Sequence, residues 1–216
     1  NIADFAVIVT KSDTGDGASL ALVELNQEAV IRSSVRTLDF SRGHASIEFK
    51  GAEAEILGAE GSGWSAMESL MDRAAVMFAW EQVGIADAAL EQARDYAMGR
   101  YAFGRAIASY QAIKHKLADM YVKNTLARSN CYYGAWALNS DSSELALAAA
   151  TARVGAIQAS VNAAQENVQT HGGMGFTWEF DCQFFYRRAK LLSVNIGSEG
   201  FWQDKLITAY EQSNVA

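Results

Sequence analysis

Two short stretches carry residue types that could hold an anion or a flat ring. Arg100 and Arg105 bracket the run Arg-Tyr-Ala-Phe-Gly-Arg, between two long segments whose apolar residues recur at helical spacing. Before it come Trp64, Met67, Leu70, Met71, Ala74, Ala75 and Phe78; after it come Ile107, Tyr110, Ile113, Leu117, Met120 and Tyr121. Gly99 and Gly104 read as a helix stop and a tight turn. The two arginines then fall at a helix-helix corner, where a guanidinium reaches a phosphate or a helix C-terminus. A capped αα-hairpin with an exposed arginine satisfies the same pattern. The second stretch is Gly172-Gly173-Met174-Gly175 at a helix end. Its backbone amides can be approached closely by a ring or a pyrophosphate, or it is a plain loop. Other chemistry finds no support. No Gly-rich phosphate loop follows a strand, and His44, His115 and His171 lie in three separate segments. Neither metal-ligand spacing nor a Ser-His-Asp set can be assembled.

Composition sets the frame for these stretches. Of 216 residues, 50% are hydrophobic and 20% charged, which describes a globular, soluble chain able to bury a good core. A net charge of -7 argues against nucleic-acid and anionic-membrane surfaces. No apolar run approaches the ~20 residues of a membrane span. Cys131 and Cys182 are far apart and read as two buried thiols in a reducing cytoplasm. Proline is absent, which suits long unbroken helices. The opening Asn-Ile-Ala-Asp lacks an initiator Met and a basic leader, and reads as the interior of a longer protein.

The elements follow in two blocks. Residues 1–57 read as a small β region, with strands at Asp4–Thr10, Leu20–Leu25, Val30–Thr37 and Ala45–Lys50, and a polar turn at Lys11–Ala18. So short a sheet leaves open edges. Residues 58–216 read as helical, at about 64–98, 105–138, 142–170, 179–194 and 200–212. Asp141-Ser-Ser-Glu144 has the form of a capping box opening the third helix. That helix is rich in alanine, so its neighbours can approach closely. The fold class expected is mainly α: an antiparallel four-helix bundle preceded by a small partial β-domain. The aromatic cluster Trp178, Phe180, Phe184, Phe185 and Tyr186 reads first as core and second as an oligomer interface.

Both stretches also resemble one family. Arg-x-x-Phe-Gly followed by Gln-x-Ile-x-x-x-Leu-Ala-Asp-Met120, and Gln169-Thr-His-Gly-Gly-Met-Gly-Phe176 followed by Tyr186-Arg-Arg-Ala-Lys190, look like the acyl-CoA dehydrogenases. The resemblance runs from about Ile2 to Tyr210, over the end of that family's middle β-domain and its C-terminal helical domain, and implies a short link between them at Gly51–Gly63. It implies FAD bound across a dimer interface. Arg100 matches the arginine on the pyrophosphate, Phe103 the aromatic against the cofactor, and Gln111 a glutamine facing it. From the neighbouring subunit, Gln169, Gly172 and Gly173 match the cofactor loop. Ser198 is similar to the threonine that follows the family's catalytic glutamate, and Ala102 stands where many members have threonine. Asp72 matches an aspartate that contacts CoA. The implied reaction oxidises an acyl-CoA to the 2,3-enoyl-CoA and passes electrons to an electron-transferring flavoprotein, in a cytoplasmic homo- or hetero-oligomer.

The pattern departs from the family at the base. α-Proton abstraction needs a carboxylate, yet the two positions where members place it are Ile196 and Ala74. The arginine expected three residues after Asp72 is Ala75. Glu81 and Glu199 read as surface or structural carboxylates. Three readings follow: part of an acyl-CoA dehydrogenase, a non-catalytic partner subunit of a hetero-oligomeric one acting on bulky steroid-type side chains, or a flavin monooxygenase-type relative.

Overall fold

A computed structural model describes residues 2–11 and 17–215. The chain divides into two compact units at Met71/Asp72, inside its first helix. In the first unit, β1 (Phe5–Lys11), β2 (Ala18–Glu24) and β5 (Glu55–Leu57) form an antiparallel sheet in the order β1-β2-β5. Phe5 faces Glu24, and Leu20 faces Leu57. Ser19, Ala21 and Val23 alternate inward along β2, the period-2 burial of a one-sided sheet. β3 (Val30–Val35) and β4 (His44–Phe49) make a separate hairpin. Of the turn expected at Lys11–Ala18, Lys11 ends β1 and Ala18 begins β2, and residues 12–16 lie outside the described residues. β5 corrects the reading of Gly51–Gly63 as a bare link. Its three residues are too few for alternation to show, and it exists through pairing with β2.

The rest is helical: α1 (Gly63–Gly99), α2 (Gln111–Asn139), α3 (Leu145–His171), α4 (Cys182–Leu192) and α5 (Glu199–Val215). Two starts differ from the sequence reading. α2 begins at Gln111 rather than 105, because residues 101–106 fold back as two short strands, β6 (Tyr101–Ala102) and β7 (Arg105–Ala106), followed by a 3₁₀ turn at Ile107–Ser109. The capping box does not form. Asp141 takes φ +52° and pairs with Arg73 at 2.5 Å, Glu144 accepts a hydrogen bond from the Tyr133 hydroxyl at 2.5 Å, and α3 starts at Leu145 without a side-chain cap. α4 is also shorter than expected, since Thr177 to Asp181 are spent on the turn before it.

The core seam is built of alanine. Ala79, Ala86, Ala89 and Ala93 of α1 meet Met120, Ala127 and Cys131 of α2 and Ala152, Ala156, Ala159 and Ala163 of α3, all buried. The large residues expected to carry this stripe, Trp64, Leu70 and Tyr121, are exposed instead. Small side chains let helix axes approach, so dispersion contacts come from backbone as well as side chains. At Gly134 an added Cβ would lie 3.3 Å from Ala152 Cβ and Val76 Cγ2. Ala156→Leu changes helix propensity little but overpacks this seam. We expect a loss of about 1–3 kcal/mol in urea unfolding; an unchanged midpoint would mean that the seam is loosely packed.

Candidate functional site

One end of the bundle gathers the two stretches that opened the sequence analysis. Arg100 N–H donates to Tyr96 O at 2.8 Å, closing α1, and Ile107 N–H donates to Arg100 O at 2.8 Å, folding the chain back. Tyr101 then faces Ala106 and Ala102 faces Arg105 in a two-residue hairpin. Its tip residues are Phe103 at φ +52° and Gly104 at φ +80°, the handedness such a turn requires. Glycine adopts it freely, whereas an aromatic residue is strained there. Tyr110 locks the hairpin: its hydroxyl donates to Ala102 O at 3.0 Å, and the Arg105 guanidinium lies 3.9 Å over its ring. Phe103 is left 97% exposed, with Arg100 exposed beside the hairpin and Gln111 exposed at the first position of α2.

The end of α3 reaches the same place. Gln169 is exposed, Gly172 takes φ +61°, and an added Cβ at Gly173 would meet nothing within 4 Å. Gly175 has a structural reason instead, since a Cβ there would lie 2.5 Å from Val168 O. His171, 4% exposed, joins the two stretches. Its ring stacks on Tyr96 at 4.0 Å and meets Phe180 edge-on at 5.2 Å, and its Nδ1 lies 2.9 Å from Asn167 O. Below this stack, Asn167 donates to Gln92 at 2.7 Å and Lys116 pairs with Glu166. The C-terminus of α1, the N-terminus of α2 and the C-terminus of α3 are therefore braced together.

The positions where a carboxylate base would sit lie on other elements. Ile196 takes φ +53° and Gly197 φ +117° in the turn between α4 and α5. The Ser198 Oγ accepts from Phe201 N–H at 3.3 Å, which gives it a capping role on α5. Ala74 is half-buried on α1. Asp72, 8% exposed, pairs with Lys205 at 2.5 Å, and Ala75 beside it is buried. Glu81 pairs with Arg188 at 2.8 Å, and Glu199 accepts from Gln158 at 2.8 Å. Each carboxylate in this region is thus engaged in a contact between or within helices.

Sequence reading passed over Arg153. It is the sole charged residue between Leu145 and Ala164, which is the signal that could have found it. The side chain is fully buried, donates to Gln82 Oε1, to Leu192 O and, at 2.8 Å, to Asn195 O. Burial lowers its pKa to about 10, against the opposing charge of Glu81. The aromatic cluster divides: Phe185 packs on the core and Phe180 joins the His171 stack, but Trp178 is 70% exposed, which corrects its assignment to the core. Cys131 and Cys182 are buried free thiols. Among the described residues no group of His, Cys, Asp and Glu could hold a metal, and no helix is long and apolar enough to cross a membrane.

Burial pushes the His171 pKa below its ordinary 6.5, with the Asn167 carbonyl opposing more weakly. The folded chain therefore binds this proton less readily than the unfolded one. Its stabilising effect is whole above about pH 6.5 and is lost as pH falls toward the folded-state value. We expect wild-type stability to drop between about pH 7 and pH 5 more steeply than that of His171→Leu, read from urea midpoints. Parallel pH profiles would show that the stack does not shield the ring.

Comparison with known proteins bears on the same segments. The family model described as acyl-CoA dehydrogenase, C-terminal domain, matches residues 61–207. The chain is 40% identical over 120 residues to acyl-CoA dehydrogenase IpdE2 of Mycobacterium tuberculosis, covering 56% of this chain and 36% of that one. It is 33% identical over 195 residues to acyl-CoA dehydrogenase FadE34 of the same organism, covering 90% of this chain and 26% of that one. A chain solved in work on the electron transferring flavoprotein of Acidaminococcus fermentans superposes with a TM-score of 0.91 at 26% identity, covering 97% of this chain and 57% of that one. The present chain thus spans roughly a quarter to just over a third of the length of these curated relatives.

Proposed function

This chain belongs to the acyl-CoA dehydrogenase family, and on that footing we propose that it is part of an FAD-dependent enzyme oxidising an acyl-CoA thioester to the 2,3-enoyl-CoA, with electrons passing to a flavoprotein acceptor. In this reading residues 1–57 are the end of the middle β-domain and residues 58–216 the C-terminal helical domain, in a cytoplasmic oligomer built through the helices. The observation that carries it is Phe103. A large aromatic side chain is held in a strained conformation and 97% exposed, which is a cost the fold bears only where the ring is used.

The residues present fit the cofactor. Arg100, whose side chain has no partner among the described residues, would donate to the pyrophosphate. Phe103 would wall the ring system and Gln111 would hydrogen-bond beside it. From a second copy, Gln169 and the amides of Gly172 and Gly173 would complete the site; the open space at Gly173 permits that approach. Ser198 would contribute a hydroxyl, while Ala102 offers none. When bound, the flavin supplies the acceptor for hydride. The chain's own residues do the binding and orientation.

A second reading has specific support: the chain is the non-catalytic partner in a hetero-oligomer and completes a neighbour's flavin site. Proton abstraction needs a carboxylate at the substrate. Ile196 and Ala74 have none, and Asp72 is held by Lys205. Under this reading acyl-CoA is bound and deprotonated elsewhere in the assembly.

The two readings share the cofactor and part at the chemistry. Arg100→Ala should leave the circular dichroism unchanged and weaken FAD binding by about tenfold or more in a calorimetric titration, the scale of one charge-assisted hydrogen bond. Equal affinities would remove the cofactor reading. With FAD loaded, anaerobic addition of an acyl-CoA to this chain alone should leave the flavin oxidised, and bleaching would instead place a working base within these residues.

A further inference from the structure

The turn between α4 and α5 holds two consecutive residues at positive φ, Ile196 at 53° and Gly197 at 117°. A β-branched residue seldom occupies that region, so contacts from outside the turn must impose it. Backbone bonds hold the first half of the turn, where Val194 and Asn195 N–H donate to Leu191 O at 3.2 Å, but at the strained pair Gly197 N–H reaches Val194 O only at 3.4 Å. The guanidinium of Arg153 reaches in from α3. It donates to Leu192 O, on the last residue of α4, and to Asn195 O, the carbonyl directly before Ile196. A cation there also complements the negative end of the α4 dipole. On its other side the same group donates to Gln82 of α1, whose amide donates to Ser160 at 3.2 Å. These three acceptors are carbonyl and amide oxygens, not carboxylates.

We propose that Arg153 is the positioning residue for the turn that presents Ile196 and Ser198 to the flavin site, through its two-carbonyl grip on Leu192 and Asn195. This rests on the cofactor reading given above. The fork geometry is what matters: a lysine keeps the charge and most of the stem, but its compact ammonium lacks the planar fork that spans carbonyls and the Gln82 amide. Arg153 touches neither substrate nor cofactor under this account and acts only through the turn.

The test compares wild type, Arg153→Lys and Ser160→Ala. The last removes the neighbouring Gln82–Ser160 bond in the same buried layer without touching the turn, and so reports on general loosening. Amide hydrogen exchange at residues 193–198 is measured together with FAD affinity. We expect about tenfold faster exchange at these amides in Arg153→Lys and no change in Ser160→Ala, with FAD binding weakened about tenfold in the former only. Arg153→Gln serves the same comparison should the lysine variant fail to fold. Unchanged exchange in the Arg153 variant, equal loosening in both variants, or a loosened turn with intact FAD affinity would each overturn the proposal. A wild-type chain that takes up no FAD sinks the cofactor reading separately, and exchange then decides whether Arg153 sets the turn.

Discussion

The close approach of three helices along an alanine seam is the constraint from which the rest follows. Alanine allows that approach, but a uniform row of small side chains specifies register poorly. Register comes from polar pairs crossing the seam. Gln82 meets Ser160 and Arg153, Asp87 meets Asn124 and Arg128, and Gln92 meets Asn167. A slip by one residue would leave the buried Gln82, Asn124, Arg153, Ser160 and Asn167 without these partners, at about 1–3 kcal/mol each. Such pairs contribute less to net stability than to selecting one alignment. That alignment decides which residues stand at the bundle end.

At that end the chain presents two exposed surfaces. The hairpin offers a strained aromatic residue and an arginine. The end of α3 offers exposed glycine amides. The His171–Tyr96–Phe180 stack makes both surfaces parts of one rigid corner. The reading of the site as shared between chains is the proposal built on this corner. Other elements hold Ile196, at positive φ and without a group able to take a proton, and Asp72, engaged by Lys205.

The long helices, the strands β1 to β4 and the glycine stops were legible because periodicity and breaker residues are local signals. The hairpin at 101–106 was half legible: Gly104 marked a turn, but Ile107 and Tyr110 fit a helical stripe equally well, so α2 was started too early. Asp141 through Glu144 satisfied a capping box by spacing, yet Arg73, far away in sequence, claims Asp141. The alanines of α3 were legible as allowing close approach, whereas those of α1 were not, because buried area here is distributed over many small residues. Arg153 and the Asp72–Lys205 pair are set by tertiary contacts, and no spacing rule announces them. Arg100, Phe103, Gly172 and Gly173 could be named from motif resemblance, but their gathering at one end depends on the packing.

The most direct test of the shared site is complementation between two defective chains. Arg100→Ala damages the hairpin surface. Gly173→Leu blocks the α3 surface without a clash inside its own chain, since an added Cβ there meets nothing within 4 Å. Each variant alone should bind little FAD. After unfolding together and refolding as an equal mixture, half of the dimers carry one copy of each, and each such dimer holds one intact and one doubly damaged site. Flavin bound per chain should then recover to about a quarter of the wild-type level by random pairing in a two-fold assembly. Recovery of that size would show that one site draws on two chains. A mixture that binds no more FAD than its separate components would contradict the account.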